Sequence, residues 1–251
     1  MNAYLCVYRQ ISPIPKDLRE TEQVATEGSL LRKFLDEYKR SFYDWGDDPS
    51  FFAAKHLLGD VNRATWGVCR RDVRCDLEKG DVVVFFCGSN KSKEKGVWNY
   101  HFIGFGTVAE VIKRRKLLWT NPSYAPYREF YNLLTDSHGK QLETFHPLHK
   151  DWKNRAAAPY IAFDPARSAF NLDSPHLVAT WDGEERQETW RRDQPARKIE
   201  RLLFEERNIE RRLRTSRTGY AHDKLNLLSD GKKERPGRPL SELTRALKLL
   251  I

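Results

Sequence analysis

The chain has 251 residues, with 44 Lys and Arg against 35 Asp and Glu, for a formal charge of +9. That length buries a substantial core in one elaborated domain, and the basic balance favours a polyanionic partner such as nucleic acid. No run of about 18 apolar residues occurs, which excludes a membrane-crossing helix. The cysteines Cys6, Cys69, Cys75 and Cys87 form no C-x-x-C pair and lack a His at zinc-finger distance. A reduced, cytoplasmic protein with no cofactor and no membrane partner is the expectation.

Ala3 to Tyr8 is apolar and aromatic and predicts a first strand, ended by a polar loop containing Ser12-Pro13 and Ile14-Pro15. Leu30, Leu31, Phe34, Leu35, Tyr38 and Phe42 recur at helical spacing, so Ser29 to Phe42 predicts a helix with one buried face. Asp48-Pro49 is a helix start and Gly59 a stop, giving a second inserted helix. After Lys79-Gly80-Asp81 the run Val82 to Phe86 predicts a buried strand entered from a turn. The Lys- and Ser-rich stretch 89–96 is a loop. Residues 97–112 form the returning strand, where Gly104 and Gly106 permit a bulge or close backbone approach.

Pro159 to Phe163 and Leu177 to Trp181 predict two further short strands. Ile199, Leu202, Leu203, Ile209 and Leu213 share one arc, so Pro195 to Arg214 predicts an amphipathic helix with an Arg-rich outer side. Ser229 to Pro239 reads as a linker, and Ser241 to Ile251 as a short helix whose Leu243, Leu247 and Leu250 dock on the domain or on a partner. The division is a single domain over 1–220, with a helical insertion at about 29–59, then linker and terminal helix over 221–251.

The most informative stretch lies at the centre. Trp66 leads through Arg70, Arg71 and Arg74 to Gly80-Asp81, then an apolar strand ending Phe85-Phe86-Cys87-Gly88-Ser89-Asn90, then Gly104-Phe105-Gly106-Thr107-Val108. This combination resembles the EVE branch of the PUA-like superfamily, and the nucleotide-modification-associated (Nmad) domains that share its fold. The likeness is good over residues 60–112, faint for the first strand and for 159–181, and absent over the last forty or so. EVE domains usually carry an Asn-Tyr dipeptide and a second Arg-Asn before the Gly-Asp turn, whereas this chain has Arg70-Arg71-Asp72.

With the inserted helices and the C-terminal amphipathic helix read above, the expected fold class is α+β, and the resemblance implies a PUA-like, strongly bent mixed β-barrel. It also implies recognition of a nucleobase, often a modified one, in systems that sense or modify bases. A base taken out of its stack needs an aromatic face, a few polar groups for its edge and cations for the flanking phosphates. Trp66, Phe86, Trp98 and Tyr100 offer faces, and Ser89 and Asn90 offer edge contacts. Arg70 and Arg74 offer base or phosphate contacts, while Arg71, Lys91, Lys93, Lys113, Arg114 and Arg115 suit phosphates.

Each assignment has a plain alternative. Large aromatics fill cores, Ser-Asn after a strand forms turns, and charged clusters guard strand edges. DNA is favoured over RNA as partner, with a modified nucleotide as the small-molecule form. No P-loop, Gly-x-Gly-x-x-Gly, Gly-x-Ser-x-Gly or His-Glu-x-x-His motif is present. His146-x-x-His149 with Asp151 lacks a third ligand and has Pro147 between the histidines. A binding domain with no catalytic and no metal residue is therefore the expectation. Two rivals stand beside it: an enzyme on modified nucleotides using His101 or the nearby carboxylates, and an interaction module using the C-terminal helices.

Overall fold

The computed structural model describes residues 3–9, 64–67, 70–89, 96–128, 135–140, 152–171, 174–205, 213, 244–245 and 247–248. The inserted helices expected at 29–42 and 48–59, the loop residues 90–95, His146, His149 and the 229–239 linker lie outside the described residues.

The Gly-Asp turn sets the register of the centre. Gly80 has a φ of 92°, open mainly to glycine, and the buried Asp81 carboxylate accepts the Glu78 amide at 2.9 Å. Gly80 N–H donates to Val108 O and Val108 N–H to Asp81 O, each at 2.8 Å. Strand β3 (Val82–Ser89) is thereby aligned antiparallel to β4 (Trp98–Ile112), from Val82 opposite Thr107 to Ser89 opposite Asn99. The register shifts between Phe85 and Phe86, leaving Ile103 as the extra residue of a bulge beside Gly104. Strand β1 (Ala3–Arg9) lies parallel to β3, Ala3 opposite Val82 through Arg9 opposite Gly88. Parallel neighbours need a long return connection, and residues 10–81 supply it.

The other edge of β4 takes β7 (His176–Asp182), β6 (Ala169–Phe170) and β5 (Tyr160–Phe163) in succession, all antiparallel. Strand β8 (Gln187–Trp190) extends β7, and β2 (Thr65–Trp66) extends β5. The sheet curls until Trp66 of β2 returns over Phe85 of β3, three places away in strand order, with rings 5.4 Å apart and edge to face. The result is a curled mixed sheet, a half-barrel with a few helices, broadly α+β as the sequence led us to expect.

Both faces of this sheet are buried, which is why the strands read as continuous apolar runs. The inner face carries Tyr4, Cys6 and Tyr8 of β1 with Val83, Phe85 and Cys87 of β3, closed over by Trp66, Phe163 and Phe170. The outer face carries Leu5, Val7, Val84, Phe86, Tyr100 and Phe102. It is covered by α4 (Gln194–Glu200), after α1 (Arg71–Asp76), α2 (Lys116–Thr120) and α3 (Trp152–Ala157) in chain order. The helix expected over 195–214 begins at Gln194 and passes at Arg201–Glu205 into a wider π-type turn; Ile199 and Leu203 are buried as the arc required, joined by Phe204. The outer cluster also takes in Leu213 and Leu247, which are 1% and 0% exposed, and Lys248 Nζ donates to Ala166 O. At Leu247 the terminal segment thus packs on this chain's own sheet.

Asp193 caps α4 by accepting the Ala196 amide at 3.1 Å, and it also meets Arg191 at 2.8 Å and His176 at 3.2 Å. Partial burial raises its pKa, but hydrogen bonds from Arg191, the Ala196 amide and His176 prevail and lower it to about 2. A depressed carboxylate stabilises the fold above its unfolded value of 3.8 and loses that contribution as pH falls toward about 2. Asp193→Ala is expected to cost about 1 kcal/mol at neutral pH. Urea midpoints should show this deficit at pH 7 and a smaller one at pH 3; an equal deficit at both would refute the charge contribution.

Candidate functional site

The half-barrel sorts the sequence-derived site residues by parity. Side chains alternate along a strand, so Phe85 and Phe86 face opposite ways. Phe86, Tyr100 and the partly buried Trp98 belong to the outer cluster beneath α4, and Phe86 packs against Phe102 with centroids 5.6 Å apart. Trp66 is fully buried on the inner face. The four aromatics named from the sequence therefore do not share one wall: Trp66 stands alone on the inner side. Ser89 occupies the register position opposite Asn99, not opposite Trp98 or Tyr100. Asn90, Lys91 and Lys93 lie outside the described residues.

The inner face gathers a different polar set. Tyr8 pairs with Cys87 in register and Cys87 with His101, so three adjacent strands contribute one row to the same face. Two residues further along β4, Asn99 Oδ1 accepts the Thr180 hydroxyl at 3.0 Å. The Tyr8 ring stacks on Phe85 at 6.0 Å, and Phe85 also meets Trp66, Phe163 and Phe170. The Trp66 indole N–H is buried and has no hydrogen-bond acceptor among the described residues. Burial pushes the Cys6 thiol up to about 12, tempered by the nearby Arg70 guanidinium, so it stays protonated and unreactive at neutral pH.

The arginines take three separate roles. The segment after Trp66 is not a strand edge: Arg70 turns the chain with φ 50° and ψ 55°, and α1 follows at once. Arg70 Nε and Nη2 donate to the two oxygens of Asp72 at 3.3 and 3.0 Å. Arg74 is fully buried and donates through Nη1 to Pro159 O, tying α1 to the start of β5. Arg115 is also buried: it donates to Ala156 O at 3.1 Å and to Gly67 O, and lies 5.5 Å from the centre of the Tyr160 ring. Arg74 and Arg115 thus act as internal struts, since buried guanidinium donors are expensive to leave unmet.

Arg71, Lys113 and Arg114 are exposed. Arg115 donates to Gly67 O, so the turn carrying Lys113 and Arg114 lies close to the chain leading into α1, at the end of β4 away from His101.

Tyr8 and Asn99 are inner-face groups that the sequence-derived set of binding residues did not include. The signal available was the period of two: Asn99 and His101 alternate with Trp98 and Tyr100, so a site using one pair cannot use the other. Among the described residues no three His, Cys, Asp or Glu side chains converge as a metal site, and no helix is long and apolar enough to cross a membrane. Comparison with known proteins gives no matching family model, no matching curated protein and no matching solved structure.

Proposed function

We propose that this chain is a nucleic-acid or nucleotide-binding protein of PUA-like, EVE or Nmad type that reads a base, a modified one by the resemblance, on the inner side of its half-barrel. The observation that supports this reading is that Trp66, Tyr8 and Cys87 share the inner-face cluster, with the Arg70–Asp72 pair electrostatically next to Cys6 and Tyr8. Aromatic surface with a few oriented polar groups is what base recognition requires. Exposed Arg71, Lys113 and Arg114 supply the cations that flanking phosphates need. A net charge of +9 adds long-range attraction for a polyanion. DNA remains the favoured polymer and the cytoplasm the favoured compartment.

The test is a salt-resolved binding panel of oligonucleotides with unmodified and modified bases. Lys113→Ala and Arg114→Ala should each weaken every oligonucleotide alike and reduce the steepness of log K against log salt by about 0.7–0.9. Base preference should survive both changes. Binding that shows no base preference at any salt would leave electrostatic adhesion alone and end the reading.

A further inference from the structure

The helix that covers the outer face of the sheet is rich in arginine on its far side. Ala196, Ile199 and Leu203 go into the outer cluster, which leaves Arg197 and Arg201, one helical turn apart, at the surface. Arg191 and Arg192, between β8 and α4, are exposed as well. Residues 191–201 hold five basic side chains against two acidic ones, and both acids are already engaged. Glu200 is buried and accepts Arg197 Nη1 at 2.6 Å, while Asp193 caps the helix and accepts from Arg191. What the segment offers a partner is surplus positive charge.

The end of the chain adds to this surplus. Leu247 is buried in the same outer cluster as Ile199 and Leu203, and Arg245, two residues earlier, is exposed. Packing of one leucine thus brings a cation from the far end of the sequence to the side of the sheet that α4 covers. The residue types say what such a surface fits. A guanidinium forks onto phosphate oxygens, which a lysine meets only as a point charge. A protein interface needs apolar anchors at its centre, and a membrane surface needs apolar side chains that enter it. Among the described residues the one large apolar side chain that is exposed, Leu117, belongs to α2, beside the separate cluster of Ile112, Leu118 and Tyr160. A polar, strongly positive surface without such anchors has the character of a nucleic-acid interface.

We propose that the arginine surface of α4, the residues leading into it and the docked terminal segment form a second nucleic-acid site, which holds DNA phosphates without reading sequence. It lies on the opposite side of the sheet from the face proposed to hold a base. The two sites are therefore separate, and the chain can grip a polymer at a point that plays no part in base choice.

The experiment uses the full chain and an unmodified DNA duplex about two helical turns long, and reads log K against log salt. The double variant Arg192→Ala, Arg245→Ala should lower the steepness by about 0.9 for each arginine removed. Lys79→Ala with Lys140→Ala, which takes the same charge from exposed turns elsewhere, should leave the steepness unchanged. Equal flattening in both double variants would reduce the effect to net charge and overturn the site, as would an unchanged slope in the arginine variant. Poly-glutamate that displaces the duplex at equal concentration of charge, the mark of an acidic protein partner, overturns it too. Circular dichroism checks the fold; should the double variant not fold, Arg192→Ala alone, with half the expected change, decides. Base preference is scored separately on the oligonucleotide panel, so its failure would end the base-reading proposal and leave this one standing.

Discussion

Gly104→Ala is expected to destabilise this protein by about 3–5 kcal/mol, a large fraction of the roughly 5–15 kcal/mol that holds an ordinary domain folded. Gly104 has a φ of 134°, where a side chain is strained in any surroundings. Its surroundings are also closed: a Cβ would lie 2.3 Å from Ala169 O and 2.7 Å from Phe170 Cα, both backbone atoms of the paired strand β6. Backbone cannot step aside as the end of a side chain can, so relief would require breaking the Gly104–Phe170 pairing that helps curl the sheet. Gly139→Ala provides the comparison, because Gly139 also has a positive φ of 78° but nothing within 4 Å of its Cβ position. That change should cost only about 1 kcal/mol. Urea denaturation of the two variants decides the matter, and similar midpoints would show that crowding at β6 has no part.

Phe85→Ala is the second large effect, expected at about 3–5 kcal/mol. The ring is fully buried and touches aromatics from four other strands: Tyr8 at 6.0 Å, Trp66 at 5.4 Å, Phe163 at 5.9 Å and Phe170 at 5.7 Å. Edge-to-face and stacked pairs add to area burial, so removing the hub loses several pairs at once. The proposed base site also rests on it, since Tyr8 and Trp66 flank the same ring. Oligonucleotide binding should therefore fall with stability in Phe85→Ala, whereas Phe86→Ala, a change of equal volume on the outer face, should lose stability with base preference retained below its melting temperature. Loss of preference in both variants alike would argue against an inner-face site.

The contrast between neighbouring phenylalanines shows where sequence reading reached its limit. Strand positions followed from apolar runs and turn residues, so 3–8, 82–86, 97–112, 159–163 and 177–181 all fall on observed strands. Which face each residue takes depended on register, and register depended on the Gly80–Asp81 turn and on the bulge at Phe85/Phe86. In a run buried on both sides, hydrophobicity carries no mark of inside or outside. The sequence therefore pooled Trp66 with Phe86, Trp98 and Tyr100, and the structure separates them.

The arginines divide between inside and outside for a related reason. Arg70 to Arg74 looked like a charged surface, but the αL turn at Arg70 starts a helix that sends Arg74 inward and Arg71 outward. Similarly, the run Lys113 to Lys116 divides, with Arg115 buried among carbonyls and its neighbours exposed. Charge runs reveal composition, whereas carbonyl groups left over at the ends of β5 and α3 select which member of the run goes inside. Those partners are distant in sequence and invisible to local pattern.

The parallel pairing of β1 ties the site to a long-range event. Joining Ala3 to Val82 closes a loop of 79 residues (82 − 3), an entropic cost of roughly 4 kcal/mol by loop-length scaling. No single pair recovers that cost, so the strand locks as a block of seven registered pairs. A shift of one residue would turn Tyr8 and Cys6 to the helix side and bring Leu5 and Val7 inward. The face proposed to hold the base is thus assembled from opposite ends of a long contour, and docking of the first strand doubles as a proofreading step for it.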